Sequence, residues 1–196
     1  MKNMKAILKL LRPHQWAKNS FVFLPLFFNG KFTNLEFLFI TIIVFFVFSF
    51  AASGIYCFND ILDAEKDKLH PIKRHRPIAS GNIGKCSAFF IMLICFIISL
   101  LTIYFFSSYI KTHVYNLYWV IAIYILMNIF YCIKLKKMII VDVFVIAIGF
   151  VLRIFAGGLA TGILLSHWLV IMTFLLALLL AFAKRRDDVV IYDQTG

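Results

Sequence analysis

The sequence predicts an all-α fold, a polytopic bundle of transmembrane helices that forms a single integral membrane domain over residues 1–196. Hydrophobic residues make up 63% of the chain and include 23 phenylalanines, which is more apolar surface than a soluble domain of this size needs. These residues fall in runs close to the ~20 residues that a helix needs to cross a bilayer. Basic residues occupy the short segments between alternate runs, as in membrane proteins of fixed orientation.

The net charge of +11 predicts contact with a membrane surface or with phosphate groups. It does not indicate nucleic acid, because the basic residues cluster in short loops beside apolar spans. The four cysteines form no CxxC pair, so neither a disulfide framework nor a zinc site is expected. The oligomeric state is not indicated by any pattern in the sequence.

Residues 1–12 predict an amphipathic helix that lies in the membrane interface. The apolar face holds Met4, Ile7, Leu8 and Leu11. The opposite face holds Lys2, Lys5, Lys9 and Arg12. Pro13 is expected to end this helix.

Residues 15–30 are predicted as the first membrane span, which is short or tilted. Its apolar part, 20–28, cannot cross ~30 Å of hydrocarbon at the ~1.5 Å rise per residue of an α-helix. Trp16 at the interface and a snorkelling Lys18 favour a span nonetheless. Pro25 is expected to kink it. The five further predicted spans cover 35–58, 86–106, 114–133, 138–160 and 166–183.

The distribution of Lys and Arg supports six crossings with both termini and the acidic loop in the cytoplasm. Seventeen of the 20 basic residues fall on one side of the predicted membrane. They lie in the N-terminal segment, the 59–85 loop, the 134–137 loop and the 184–186 end. Lys31 and Lys111 occupy the intervening loops, and Arg153 lies within the fifth span. We therefore expect a multi-pass protein of the plasma (inner) membrane.

The stretch 59–81, NDILDAEKDKLHPIKRHRPIASG, carries the most informative pattern in the chain. If the preceding helix continues through it, Asn59, Asp63 and Asp67 recur every four residues, and Asp60 also falls near this face. Carboxylates with an amide oxygen suit Mg²⁺, which usually also binds substrate phosphates. The basic residues of this region are Lys66, Lys68, Lys73, Arg74, Arg76 and Lys85, and they offer donors to such phosphates. The alternative is a solvated, charged loop between two spans.

Two ionisable residues fall within the predicted fifth span. Asp142 lies near its cytoplasmic start, where it is either a functional group or an interfacial residue paired with Lys136 or Lys137. Arg153 lies eleven residues later, too far away to pair directly with Asp142. Because a charge at that depth is costly, we expect Arg153 to have a functional or structural partner.

The segment after the sixth span repeats this combination of charges. Lys184, Arg185 and Arg186 precede the acids Asp187, Asp188 and Asp193. The segment is either a second binding region for a charged substrate or an ordinary charged end of a span.

The N-D-x-x-D-x-x-x-D pattern at 59–67, followed by RPIASG at 76–81, resembles the UbiA superfamily of intramembrane prenyltransferases. Further stretches are similar to its decaprenyl-phosphate phosphoribosyltransferase branch. They are RPHQWAKN at 12–19, HPIKRHRPIASG at 70–81, VDVFVIAIGFVLRIFAGG at 141–158 and LAFAKRRDD at 180–188. Members of the superfamily usually have nine spans, so a chain with six predicted spans looks short at its C-terminus.

The resemblance implies a transferase that moves a phosphoribosyl group from phosphoribosyl pyrophosphate to a polyprenyl (decaprenyl) phosphate, for cell-envelope precursor synthesis. The implied Mg²⁺ ligands are Asn59, Asp63 and Asp67. The implied catalytic residues are Asp60, Asp63 and Asp67. The candidate phosphate-binding or substrate-binding residues are Lys18, Lys73, Arg74, Arg76, Lys184, Arg185, Arg186 and Asp187. Two alternatives remain open at this point: prenyl transfer from a polyprenyl diphosphate to an aromatic acceptor, and membrane transport.

Overall fold

The computed structural model of the chain describes residues 2–110 and 114–195, with side chains described over 4–110, 114–136, 138 and 140–186. Throughout the described ranges the regular structure is helical, as predicted. The α-helices are α1 (Lys2–Leu11), α2 (Leu24–Phe28), α3 (Leu35–Leu69), α4 (Lys85–Phe105), α5 (Val114–Ile133), α6 (Ile139–Thr161) and α7 (His167–Thr195). A 3₁₀ helix, Pro13–Phe23, joins α1 to α2.

The N-terminal helix α1 forms where the amphipathic pattern predicts it. Leu10 is fully buried, whereas Met4 and Leu8 are exposed, as the predicted position in the membrane interface requires. Arg12 follows the helix in the left-handed conformation, with φ of 52°, which commonly ends a helix. Pro13 then opens the 3₁₀ helix.

The first predicted span is not one kinked α-helix. Residues Pro13–Phe23 form an unusually long 3₁₀ helix, and α2 adds a little more than one α-helical turn. Because a 3₁₀ helix rises ~2.0 Å per residue, the two together reach about 30 Å, close to the thickness of the hydrocarbon core. The change of conformation falls between Phe23 and Leu24, and Pro25 lies in the first turn of α2, where proline is tolerated.

Close packing against α6 holds the 3₁₀ helix in place. Gly157 of α6 faces the backbone of Val22 so closely that a Cβ atom there would collide with the Val22 carbonyl oxygen. On the other side, the Trp16 indole donates to Ser53 Oγ (3.0 Å), and Asn19 donates to Ser49 Oγ (3.0 Å). The 3₁₀ helix is therefore fixed between α3 and α6.

Helix α3 is the centre of the bundle. Asn34 caps its N-terminus by accepting hydrogen bonds from the backbone N–H groups of Glu36 and Phe37. Its 35 residues extend about 52 Å, well beyond the ~30 Å hydrocarbon core. The helix predicted over 35–58 therefore continues through the acidic pattern, which ends up on a helix and not in a loop.

The other predicted spans agree with helices α4 to α7. Each helix begins within one residue of its prediction, and α4 to α6 also end within one residue, whereas α7 continues past 183 to Thr195. In the described ranges, α3 to α7 are the five helices long and apolar enough to cross a membrane. The segment 15–30 is not among these five. Many large apolar side chains of α4, α5 and α7 are exposed, as lipid-facing surfaces are.

Candidate functional site

The polar end of α3 divides the acidic pattern between two adjacent faces of one helix. At ~100° per residue, Asn59 and Asp63 lie within ~40° of each other, and Asp60 and Asp67 lie within ~20° of each other. The centres of the two pairs are separated by ~70° around the helix. Each pair therefore meets a different neighbour, although all four residues belong to one sequence pattern.

Asp60 and Asp67 turn toward arginines from two other parts of the chain. Arg12 Nη2 donates to Asp60 Oδ1 (2.5 Å), and Arg76 Nη1 donates to both Asp60 Oδ1 (3.2 Å) and Asp67 Oδ2 (2.7 Å). The side chains of Asp60 and Asp67 are 1% and 6% exposed. These ion pairs connect α3 to the end of α1 and to the segment that follows α3.

The segment 76–81, RPIASG, is folded so that it holds Arg76 against α3. The Ile83 N–H donates to the Pro77 carbonyl (3.0 Å), and Gly81 takes the positive φ of 76° that the turn requires. Ile78 and Ile83 are buried in a small hydrophobic cluster with Leu10. Packing thus fixes the backbone that presents the Arg76 guanidinium.

Asn59 and Asp63 turn instead toward Lys136, in the 3₁₀ turn Leu135–Lys137 between α5 and α6. Lys136 Nζ donates to both oxygens of Asp63 at 2.7 Å and to Oδ1 of Asn59 at 3.3 Å. Three oxygens therefore converge on one positive charge. The side chains of Asp63 and Lys136 are 22% and 23% exposed, so this group is open to small solutes.

Asn59 and Asp63 line an open cavity of about 430 Å³, which we call the polar chamber. Its charged lining consists of one carboxylate, Asp63, and six cations. The cations are Arg12, Lys73, Arg76, Lys136, Lys184 and Arg185. The remaining lining residues include Tyr56, Asn128 and Tyr131. Such a surplus of positive charge around a single acid suits a ligand with several negative charges.

A second cavity of about 570 Å³, the inner chamber, adjoins the polar chamber and shares Tyr56, Tyr131 and Lys184 with it. Its lining is mainly apolar and aromatic, and its charged members are Lys18, Arg153 and Lys184. The two chambers together form a cavity that is strongly charged at one end and mainly apolar at the other.

Arg153 has the partners that its depth in the membrane requires. Its Nε donates to Asn19 Oδ1 (2.8 Å), Nη1 to the Gly149 carbonyl (2.7 Å) and Nη2 to the Tyr124 hydroxyl (2.9 Å). The guanidinium also lies 5.0–5.7 Å from the centres of three rings, those of Phe48, Tyr124 and Phe150. These contacts position the 3₁₀ helix and α5 around the inner chamber.

Asp142 is fully buried and links three helices at the wall of the polar chamber. The Tyr131 hydroxyl donates to Asp142 Oδ1 (2.6 Å), and the Arg185 guanidinium donates to Oδ2. The sequence-based alternative of a pair between Asp142 and Lys136 is wrong, because Lys136 binds Asp63. The side chain of Lys137 lies outside the described part.

The remaining candidate residues are distributed unevenly. Lys73, Arg76, Lys184 and Arg185 line the polar chamber, and Lys18 lines the inner chamber. Arg74 and Arg186 are exposed and belong to neither lining. The side chain of Asp187 is not described. The structure therefore brings Asn59 and Asp63 together with four of the candidate cations in the polar chamber, and it places Asp60 and Asp67 outside the chamber lining.

The oxygens of Asn59 and Asp63 that accept from Lys136, here called the oxygen set, fit a divalent cation that is also bound by substrate. Mg²⁺ is usually bound by one or two carboxylates together with substrate phosphates and waters. Asn59 Oδ1 and the two Asp63 oxygens already surround a cationic group in an open, phosphate-compatible chamber. Among the described residues, no group of three or more His, Cys, Asp or Glu is arranged to hold a metal ion. The site thus fits a metal that depends on substrate for its other ligands.

Sequence reasoning did not identify Arg12, Lys136, Tyr131 or Asn128 as members of this site. For two of these residues the partner is far away in the chain: Lys136 lies 73 residues from Asp63, and Arg12 lies 48 residues from Asp60. One signal was available for Lys136, because its loop lies on the same side of the predicted membrane as the acidic pattern.

The sequence matches the UbiA prenyltransferase family over residues 20–192. It is 36% identical over 194 residues to a decaprenyl-phosphate phosphoribosyltransferase of Corynebacterium glutamicum, covering 97% of this chain and 56% of that protein. The enzyme of the same name from Mycobacterium tuberculosis is 33% identical over 194 residues, covering 97% of this chain and 62% of that protein. The chain thus spans a little over half the length of these relatives.

Similarity extends to synthases of a different name. The digeranylgeranylglyceryl phosphate synthase of Sulfolobus acidocaldarius is 30% identical over 192 residues, covering 95% of this chain and 65% of that protein. A solved structure from work on digeranylgeranylglyceryl phosphate synthase in membranes has a TM-score of 0.73 and 23% identity, covering all of this chain and 67% of that one. From its sequence and its membrane-helix fold, the chain belongs to the UbiA prenyltransferase family.

Proposed function

We propose that this chain forms the substrate-binding core of a divalent-metal-dependent transferase, which moves a phosphoribosyl group from phosphoribosyl pyrophosphate to a polyprenyl phosphate. The observation that carries this proposal is the polar chamber, where one oxygen set, Asn59 and Asp63, faces a lining that is otherwise cationic. The names of the bacterial relatives, which match 97% of this chain, supply the substrate class.

In this proposal each chamber takes one part of the reaction. The polar chamber binds the donor, a soluble sugar that carries a 5-phosphate and a 1-diphosphate. The mainly apolar inner chamber takes the lipid chain next to its phosphate, since lipid tails need an apolar lining that opens toward the bilayer. The shared residues Tyr56, Tyr131 and Lys184 lie at the junction, where the acceptor phosphate meets C1 of the ribose.

Asn59 and Asp63 would hold the metal, which we propose to be Mg²⁺. When bound, the metal neutralises the charge that develops on the departing diphosphate. The acceptor phosphate is already an anionic nucleophile, so the reaction needs no strong general base. An oxygen of that phosphate forms a bond to C1, the bond from C1 to the diphosphate oxygen breaks, and the diphosphate leaves with the electron pair.

The cations of the lining bind and orient the phosphates. Lys73 and Lys184 are the lining cations that have no ion pair to a carboxylate among the described residues, which suits them to bind substrate phosphate. Asp142 accepts a hydrogen bond from Arg185 and so orients its guanidinium. A guanidinium held in a fixed position is suited to binding a substrate phosphate. Asp60 and Asp67 act indirectly in this proposal, by fixing Arg12 and Arg76 at the chamber wall.

The proposed membrane arrangement follows from the same chamber. The soluble donor comes from the cytoplasm, and the acceptor lipid presents its phosphate at the cytoplasmic leaflet. The charged end of α3 therefore lies on the cytoplasmic side of the plasma membrane. Both termini then lie in the cytoplasm, in agreement with the distribution of basic residues. Family membership also favours a transfer reaction over the transport alternative.

Prenyl transfer from a polyprenyl diphosphate is the second candidate. The 30% identity to a digeranylgeranylglyceryl phosphate synthase favours it. The same oxygen set would serve a metal bound to the prenyl diphosphate, and the inner chamber would hold its prenyl chain. The two candidates therefore differ in which substrate carries the diphosphate.

A labelling experiment separates the two candidates. Membranes that contain the chain are incubated with Mg²⁺, phosphoribosyl pyrophosphate labelled in the ribose, and a polyprenyl phosphate. We expect label in the lipid fraction, and no label with the Asp63→Asn variant or after chelation. Consumption of a prenyl diphosphate and an aromatic acceptor, with no ribose label in lipid, would support prenyl transfer instead.

A further inference from the structure

Lys136 occupies the position that a divalent cation would need. Its ammonium group lies within 2.7 Å of both Asp63 oxygens and 3.3 Å of Asn59 Oδ1. A metal that binds these oxygens must therefore displace an existing positive charge. The side chain is attached to the short 3₁₀ turn Leu135–Lys137 and is 23% exposed, so it can swing into the chamber without breaking a helix.

Displacement of Lys136 is unfavourable when the chamber holds no anion. The displaced ammonium would remain in a chamber lined by five other cations, and the metal would add two further positive charges. Three of these cations are arginines that are paired with buried carboxylates. The other two, Lys73 and Lys184, have no such pair among the described residues. Like charges in a partly enclosed site repel each other strongly, because water screens them less than in bulk solution. An anion with several charges reverses this balance, because it neutralises the lining and gives Lys136 a new acceptor.

We propose that Lys136 makes divalent-metal binding at Asn59 and Asp63 depend on a diphosphate. Without substrate, the ammonium holds the two oxygen-bearing side chains in place. When metal and diphosphate bind together, Lys136 transfers to a phosphate oxygen. Such coupling is reciprocal, so the metal strengthens diphosphate binding by the same factor. This inference rests on the proposed function, since it assigns the metal to Asn59 and Asp63.

The exchange would also distinguish between the two substrates of the proposed reaction. Both carry phosphate, but only the donor has a diphosphate, which can contact the metal and Lys136 at the same time. A lone monophosphate offers fewer oxygens and less charge against the same displacement. The metal would therefore assemble on the donor diphosphate and not on the lipid monophosphate.

Retention of Mn²⁺ by the purified full chain tests the coupling directly. Mn²⁺ accepts the same oxygen ligands as Mg²⁺ and can be measured at low concentration. Its binding to protein in detergent micelles is measured by ultrafiltration, with Mn²⁺ alone, with added inorganic pyrophosphate, and with added inorganic phosphate. Protein-free samples correct for complexes in solution. The wild-type protein should bind Mn²⁺ at least about tenfold more tightly with pyrophosphate than alone, and phosphate should do much less.

The variant Lys136→Gln should bind Mn²⁺ alone about ten- to hundredfold more tightly than wild type, the range of one charge-assisted hydrogen bond. Its gain from pyrophosphate should fall correspondingly. Lys134→Gln is the matched control, because it removes the same charge from the same loop but from a side chain outside the chamber lining. Lys136→Arg keeps the charge and should keep the dependence on pyrophosphate.

Equal affinity of wild type and Lys136→Gln for Mn²⁺ alone would overturn the coupling, even if the transferase itself is active. If Lys136→Gln does not fold, wild type and Lys136→Arg provide the test. The coupling would be overturned if both proteins bind Mn²⁺ as tightly without pyrophosphate as with it. If wild type fails to bind Mn²⁺ even with pyrophosphate, the metal site of the proposed function fails. The variant Asp63→Asn measures how much Mn²⁺ the protein binds at other places, and the difference from wild type gives the Mn²⁺ bound at this site.

Discussion

Asp60 with Asp67 and Asn59 with Asp63 are two pairs from the same nine-residue pattern, yet their surroundings differ. The first pair is almost fully buried and bound by Arg12 and Arg76. The second pair is partly exposed, faces the polar chamber and is bound by one cation, Lys136. All four residues lie within an arc of ~100° on one regular helix, so the difference arises from the neighbours that each side chain meets.

This comparison shows that an acidic pattern can combine structural and chemical roles. A buried carboxylate that accepts from two guanidinium groups cannot easily release them to bind substrate, because the charges left behind would be unpaired. A carboxylate that faces a cavity and one lysine can exchange its partner. The arrangement of neighbours, and not the residue type, separates the buried pair from the pair that faces the polar chamber.

The largest effect on stability is expected for Asp60→Ala. The change leaves Arg12 without its carboxylate and removes one of the two carboxylates bound by Arg76. An unpaired charge that is fully buried typically costs about 3–5 kcal/mol. The two arginine side chains are 20% and 24% exposed, so we expect a cost at the lower end of that range. Thermal unfolding in detergent, followed by tryptophan fluorescence, should show a strongly lowered Tm. Glu65→Gln is the control, because Glu65 carries an ion pair on the same helix but has a 66% exposed side chain; we expect no measurable shift for it. Equal shifts for the two variants would remove the contrast between buried and exposed carboxylates.

The double variant Arg12→Gln with Asp60→Asn sharpens the same point. Removing both charges avoids an unpaired buried ion, so the double variant should be more stable than the sum of the single changes predicts. Contacting residues of this kind show coupling of about 0.5–3 kcal/mol. The four proteins of the cycle are compared by thermal unfolding, and strictly additive shifts would contradict a direct role of this ion pair.

A smaller loss is expected for Asp67→Asn. Arg76 keeps its bond to Asp60, while one charge-assisted hydrogen bond is replaced by a neutral one. The expected cost is up to about 1–3 kcal/mol. Its Tm should therefore fall between those of Asp60→Ala and wild type. A decrease as large as that of Asp60→Ala would mean that Asp67, and not Asp60, is the main anchor for Arg76.

The smallest effect on stability is expected for Asp63→Asn. The pair of Asp63 and Lys136 is open to solvent on one side, and the loop that carries Lys136 can relax, so the cost should stay within about 1 kcal/mol. The Tm should therefore remain close to that of wild type. A large decrease would place Asp63 with the structural pair.

Most of the fold could be predicted from the sequence, because lipid imposes a simple requirement. Every apolar run must be long enough to cross the bilayer and must satisfy its backbone internally, so α4 to α6 agree with their predicted bounds to about one residue. The exception is 13–28, where the 3₁₀ helix is longer than such helices usually are. Its geometry depends on tertiary contacts such as that between Gly157 and Val22, which the sequence pattern does not reveal.

The candidate site could be predicted only in part. The acidic pattern and its position at the end of a span are local features, and they led to Asn59 and Asp63. The division into two pairs depends on which neighbours surround α3, and Arg12, Arg76 and Lys136 come from three different connections. Spacing alone placed Asp67 beside Asn59 and Asp63, whereas in the structure Asp67 binds Arg76 and is not part of the chamber lining.

In the proposed function, the pair facing the chamber, and not the buried pair, meets the metal and the diphosphate. The most direct test compares Mn²⁺ retention in the presence of pyrophosphate for Asp63→Asn and Asp67→Asn, each checked by its Tm. We predict that Asp63→Asn loses at least about tenfold in Mn²⁺ affinity while its Tm stays near that of wild type. We predict that Asp67→Asn stays within about threefold of wild type in Mn²⁺ affinity although its Tm falls. Asp67 can affect the metal only indirectly, through Asn59 and Asp63, and such an effect should cost much less free energy than the loss of one charge-assisted contact. Equal loss of affinity in both variants, or a loss confined to Asp67→Asn, would contradict this division.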